Sequence, residues 1–137
     1  MTLHRILLAI FLVQALVLAL GNPAQDEQQD GKDLFARRCS GCHATDINKE
    51  GPRLRGVYGR KAAALSDFSY SDSLKKLDLQ WDEASLDRWL TNPEAMASDT
   101  DMAFRLSGPE ERKAVIAYLK SLGKLKSLGK QAESLGK

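Results

Sequence analysis

The 137 residues carry 20 Lys and Arg against 18 Asp and Glu, a formal charge of +2 with no basic block, so nucleic-acid binding has no support. A chain of this length is one domain. With only 7 % aromatic residues, its own side chains offer a modest core.

After Arg5, the run from Ile6 to Leu20 is apolar except for Gln14, and Ala19 and Gly21 stand at the −3 and −1 positions of a cut after Gly21. This pattern predicts a secretory signal peptide over 1–21. An uncleaved anchor is the rival reading, although the run falls short of the ~20 residues that span a bilayer. Either way the domain crosses a membrane, into a compartment that permits covalent cysteine chemistry. Residues 22–30 are polar and predict a flexible lead-in.

Asp30 is placed to cap a helix from Gly31, in which Leu34, Phe35, Cys39 and Cys42 recur at helical spacing. That stripe runs into Cys39-Ser40-Gly41-Cys42-His43, the C-x-x-C-H spacing that attaches a c-type haem. Its thiols add to the two porphyrin vinyl groups, and its His becomes an axial iron ligand. A bare C-x-x-C would be shared with thiol–disulfide proteins and half zinc sites. Cleavage would also remove His4 and leave two Cys, one His (His43) and two Met (Met96 and Met102). That set falls short of the four ligands of structural zinc, and the sole base has no partner for a nucleophilic triad. A Cys39–Cys42 disulfide would close too small a loop to stabilise much. A haem-free thiol–disulfide protein stays as a rival.

From Ala44 to Gln80 the glycines and Pro52 break any periodicity, and no strand alternation appears. Such a long loop section suits packing on a buried rigid disc, and the Pro52 carbonyl could accept from His43 Nδ1. Asp82 caps a predicted helix through Leu90, with Leu86, Trp89 and Leu90 on its buried face and Asn92-Pro93 at its end. Residues 94–104 are non-periodic. A last helix follows Ser107, with Pro109 in its first turn and Val115, Tyr118, Leu119 and Leu122 inward. The domain is expected to end near Leu122, and residues 123–137, which complete a Ser-Leu-Gly-Lys repeat begun at Ser121, to form a flexible basic tail.

In their order and spacing these pieces resemble a class I c-type cytochrome of the mitochondrial cytochrome c and bacterial cytochrome c2 type. Matching residues are Gly31, Phe35, Cys39 to His43, the run from Gly51 to Arg60, Phe68-Ser69-Tyr70, Trp81, Leu90 to Pro93, Met102-Ala103-Phe104 and Ile116 to Lys120. The resemblance implies an all-α fold of about three to five helices and loops around one covalent haem c, over residues 31–122. It further implies that Met102, and not Met96, is the second axial ligand opposite His43. By the same resemblance Pro52 partners His43, while Arg60, Tyr70, Trp81 and Thr100 sit where the family binds or neutralises the haem propionates. Gly31 and Tyr118 match the crossing of the first and last helices.

The implied function is that of a non-enzymatic one-electron carrier in the periplasm. Its donor would be a cytochrome bc1-type complex or dehydrogenase, and its acceptor a terminal oxidase or peroxidase. A monomer is expected, with membrane contact only through the N-terminal segment or the tail. A haem enzyme or gas sensor with a labile sixth ligand is the alternative. The chain departs from the family at Trp89 and Leu74, which replace a common Tyr and Asn and are expected to strip polar groups from the haem surroundings. It departs again where lysines would face acidic partners, because Glu94, Ala95 and Asp101 stand there, with Asp99 between.

Overall fold

The structure is a computed structural model that describes residues 23–135, with side chains over 25–123. The signal or anchor segment expected at 1–21 lies outside the described residues. Five helices appear among the described residues: α1 (Pro23–Arg38), α2 (Asp72–Lys75), α3 (Glu83–Thr91), α4 (Pro93–Met96) and α5 (Pro109–Leu135). The only extended pairing among them is a bridge between Lys61 and Gln80. No described helix is long and apolar enough to cross a membrane.

Helix α1 begins at Pro23 instead of at the Asp30 cap, so residues 23–30 form its first turns and are not a separate lead-in. Proline suits that position because its missing N–H has no helical acceptor there. Lys113 of α5 holds Glu27 at 3.0 Å and ties the early turns to the body of the protein. Helix α5 also outruns its expected end and continues to Leu135 through the first two Ser-Leu-Gly-Lys repeats. Each glycine costs a helix about 1 kcal/mol, but the intervening Leu, Lys, Gln, Ala and Glu favour it.

Helices α1 and α5 cross at Gly31. A Cβ on Gly31 would run into the Ala114 carbonyl and the Tyr118 side chain, so only glycine allows this approach. Phe35 and Tyr118 meet beside it with ring centroids 5.4 Å apart. Leu34 and Phe35 of α1 and Val115, Leu119 and Leu122 of α5 are buried, as their spacing predicts.

Helix α3 forms as its sequence dictates. Asp82 Oδ1 accepts from Ser85 N at 2.8 Å, and Ser85 Oγ accepts from Asp82 N at 2.8 Å, a complete capping box. Leu86, Trp89 and Leu90 then face inward. Past Asn92, Pro93 opens the single turn of α4, within a stretch expected to be irregular.

The section from 44 to 80 is held by scattered backbone hydrogen bonds, such as Leu54 N to the Ala44 carbonyl at 3.0 Å and Ala62 N to the Leu79 carbonyl at 2.9 Å, and by side chains. Asn48 accepts from Arg53 N and donates to the Asp67 carbonyl, while Arg53 reaches the Asp67 carboxylate at 2.5 Å. Arg55 grips Asp46 with two nitrogens and extends to the Leu122 carbonyl at 3.5 Å, joining the loops to α5.

Candidate functional site

The C-x-x-C-H motif lies just beyond α1, in one further turn instead of on the helix itself. Cys42 N and His43 N both donate to the Cys39 carbonyl, at 3.2 and 2.9 Å. Lys49 Nζ donates to the Ser40 and Gly41 carbonyls at 2.5 and 2.8 Å, closing the turn from outside.

His43 Nδ1 lies 2.8 Å from the Pro52 carbonyl. A carbonyl only accepts, so Nδ1 carries the proton and Nε2 keeps its lone pair. Gly51 packs flat against that ring, and a Cβ there would collide with the imidazole. Burial pushes the His43 pKa down, against the opposing Pro52 hydrogen bond, which favours the neutral form able to bind a metal.

The Cys39 thiol is pushed up to about 11, chiefly by burial. Cys42 is also raised, first by its 3.2 Å hydrogen bond to Glu50. Reactive thiol–disulfide pairs keep at least one thiol low, so the local chemistry disfavours that rival. Among the described residues no cluster of His, Cys, Asp and Glu suits a metal ion held by those side chains alone.

These side chains line a cavity of about 400 Å³ together with Pro52, Arg60, Tyr70, Trp81, Thr100 and Met102. The cavity thus brings together all nine residues singled out from the sequence. Met96 is not on its wall and packs against the core instead. The remaining wall is largely apolar, including Val57, Phe68, Leu74, Leu86 and Phe104.

The polar groups on this wall suit an acidic ligand edge. Arg60 is half-buried and donates to the Arg53 and Arg55 carbonyls at 3.0 and 3.4 Å, but it has no ion pair among the described residues. Burial lowers its pKa, the mark of a cation with little water and no carboxylate beside it. Trp81 is buried, and its indole N–H has no acceptor among the described residues. Tyr70 is also buried and its hydroxyl pKa is raised by that burial, with Arg60 pulling the other way.

Two further features escaped the sequence. Trp89 does not strip the site of polarity, because its Nε1 donates to Met102 Sδ at 3.1 Å. Leu74 is an apolar part of the wall. Glu94 is not a free acidic charge either, since Arg105 pairs with it at 2.6 Å.

An all-α body wrapped on an apolar cavity, with C-x-x-C-H at its wall and a basic, N–H-rich edge, defines a class I c-type cytochrome. The cytochrome c family profile matches residues 28–123, and the chain belongs to that family. It is 45 % identical over 87 residues to cytochrome c2 iso-2 of Magnetospirillum fulvum, covering 61 % of this chain and 91 % of that protein. To cytochrome c of Euglena viridis it is 35 % identical over 99 residues, covering 70 % and 97 %. Among solved structures it resembles cytochrome cH from Methylobacterium extorquens, with a TM-score of 0.65, 40 % identity, and 69 % and 97 % of the two chains covered. The cofactor is one covalent haem c, and the protein is a monohaem electron carrier.

Proposed function

We propose that this cytochrome passes single electrons between larger redox proteins outside the cytoplasm, with His43 and Met102 as the axial pair. The observation that carries the reading is the sorting of the two methionines: Met102 lines the cavity with His43, while Met96 packs elsewhere. When bound, the haem supplies a one-electron iron couple.

The protein's part is to hold, orient and dry that group. Cys39 and Cys42 anchor it through thioether bonds. Pro52 and Gly51 fix the His43 ring and its tautomer, leaving Nε2 as the nitrogen that would hold the iron. Arg60 and Trp81, with Tyr70 and Thr100, receive the acidic edge. With His43 and Met102 both on the cavity wall, the iron would have two protein ligands and no open position, which argues against an enzyme or gas sensor.

Donors of the cytochrome bc1 or dehydrogenase type and acceptors of the oxidase or peroxidase type fit such a carrier. The rim differs from a lysine ring: Glu94 is neutralised by Arg105, and Asp101 stands exposed at the cavity edge. Rim charge chiefly sets encounter rate and partner choice, so a strongly acidic partner is disfavoured. The signal-like run over 1–21 supports export to the periplasm, where the carrier would act as a monomeric shuttle.

Replacing each methionine by Ala tests the reading. Met102→Ala is expected to abolish the six-coordinate spectrum and admit carbon monoxide to the reduced protein, whereas Met96→Ala keeps the parental spectrum. A parent that is already high-spin and binds carbon monoxide readily would defeat the carrier assignment. The intact mass of the exported protein reports covalent haem and cleavage after Gly21 together.

A further inference from the structure

The acids of the rim are not equivalent. Asp99 is exposed, yet its carboxylate is fully engaged. It accepts from Asp72 N at 3.1 Å, from Ser73 N at 3.1 and 3.2 Å, and from the Ser73 hydroxyl. In return the Ser73 hydroxyl accepts from Asp99 N at 3.4 Å. The two amides open α2, where backbone N–H groups have no helical acceptor and usually find a side chain close in sequence. Here the acceptor comes from a segment 26 or 27 residues further along the chain.

Both segments form walls of the haem cavity. Ser71 and Leu74 line it from the α2 side, and Thr100, Asp101 and Met102 from the other. Between Asp99 and Met102 the chain has little freedom. Thr100 N donates to the Ala97 carbonyl at 3.1 Å, and Met102 N donates to Thr100 Oγ1 at 3.3 Å. Ala97 itself is 1 % exposed and anchors the start of the segment. Among the described residues no hydrogen bond of Asp99 or Ser73 reaches a third element, so the clasp joins these two walls directly.

We propose that Asp99 is a positioning residue, whose carboxylate clasps the Met102 segment to α2 and holds the thioether in its ligating position. The clasp makes no contact with the iron. It acts on how often the Met102 segment swings away, and so on how readily an outside ligand gains the sixth position. This inference rests on Met102 being the axial ligand.

The test is stopped-flow binding of cyanide to the ferric holoprotein, with amide hydrogen exchange at Asp72 and Ser73 as an independent readout. With Met102 bound, the parental rate should rise with cyanide and then level at a limit set by the opening of the segment. Charge-assisted hydrogen bonds of this kind lead us to expect that Asp99→Ala raises this limit about tenfold. Ser73→Ala should act in the same direction, and the double variant no more than the larger single effect. Both single variants should speed exchange at the two amides. Should Asp99→Ala fail to load haem, Ser73→Ala carries the test from the other side of the clasp. A levelling parental rate that stays within twofold in both variants would overturn the clasp while leaving Met102 as ligand. Effects that multiply in the double variant would overturn it as well. A parental rate that climbs linearly with cyanide would instead overturn the ligand assignment.

Discussion

The indole Nε1 of Trp89 donates a hydrogen bond to Met102 Sδ at 3.1 Å. A thioether sulfur has two lone pairs, so a ligating sulfur can still accept from the indole. With Met102 as the proposed ligand, the donor would draw electron density from the sulfur and make it a poorer partner for ferric iron, which favours the reduced state. Trp89→Phe is therefore expected to lower the reduction potential. If a fraction of the ~1 kcal/mol of a hydrogen bond acts differentially, the fall is roughly 10–40 mV, since 59 mV is tenfold for one electron. A redox titration of the holoprotein measures it. An unchanged potential, with Met102 still bound, would show that the contact is mere packing.

Gly51 makes a second requirement, at His43, the other proposed ligand. A Cβ on Gly51 would collide with His43 Cε1 and come within 2.6 Å of its Nδ1. Gly51→Ala should tilt the imidazole away from the Pro52 carbonyl and weaken axial ligation. Loss of a ligand's supporting contact lowers metal affinity by about tenfold or more. The checks are the haem-loaded fraction by intact mass and the Soret position. Normal loading with an unshifted spectrum would mean that the loop yields instead of the ring.

Much of this was legible from the sequence, for identifiable reasons. The C-x-x-C-H motif is set by covalent spacing, and α3 by an Asp82 cap followed by an apolar stripe, both local properties. The inward faces of α1 and α5 follow from helical periodicity. What escaped was tertiary. The composition at Trp89 suggested lost polarity, since the direction of an indole N–H depends on packing against Trp81, 5.3 Å away by ring centroids. Asp99 and Ser73 stand 26 residues apart with no periodic pattern linking them. The early turns of α1 are polar in composition, and the Glu27–Lys113 pair across to α5 cannot be read from either segment alone.

The α1–α5 crossing is expected to tolerate little. At Gly31 the clashing atom is the backbone carbonyl of Ala114, which cannot move without displacing α5. Gly31→Val should push the helices apart and disturb Phe35 against Tyr118. Overpacking of this kind typically costs about 1–3 kcal/mol, and a backbone clash belongs at the upper end or beyond it. Urea unfolding of the holoprotein measures the loss. A cost under about 0.5 kcal/mol would show that the crossing adjusts freely, as most surface sites do.

Acid should weaken the protein partly through Asp99. Its carboxyl pKa is held at about 2 in the fold, chiefly by the Ser73 hydroxyl, against an ordinary value of 3.8. A group whose folded pKa lies below its unfolded one lends stability above the unfolded value and loses it as pH falls through the folded one. The Asp99 contribution is thus complete above roughly pH 5 and fades between about pH 4 and pH 2. Asp67, lowered first by its hydrogen bond from Arg53, and Asp82, lowered by Ser85, also lose stability towards acid, in parent and variant alike. Asp99→Asn should therefore be less stable than the parent at neutral pH, and the two urea midpoints should converge as pH falls towards 2. Ser73→Ala should shallow the parental acid slope in the same way, because it removes the first cause of the shift. Midpoints that fall in parallel across the whole range would mean that Asp99 titrates no lower in the folded protein than in the unfolded chain.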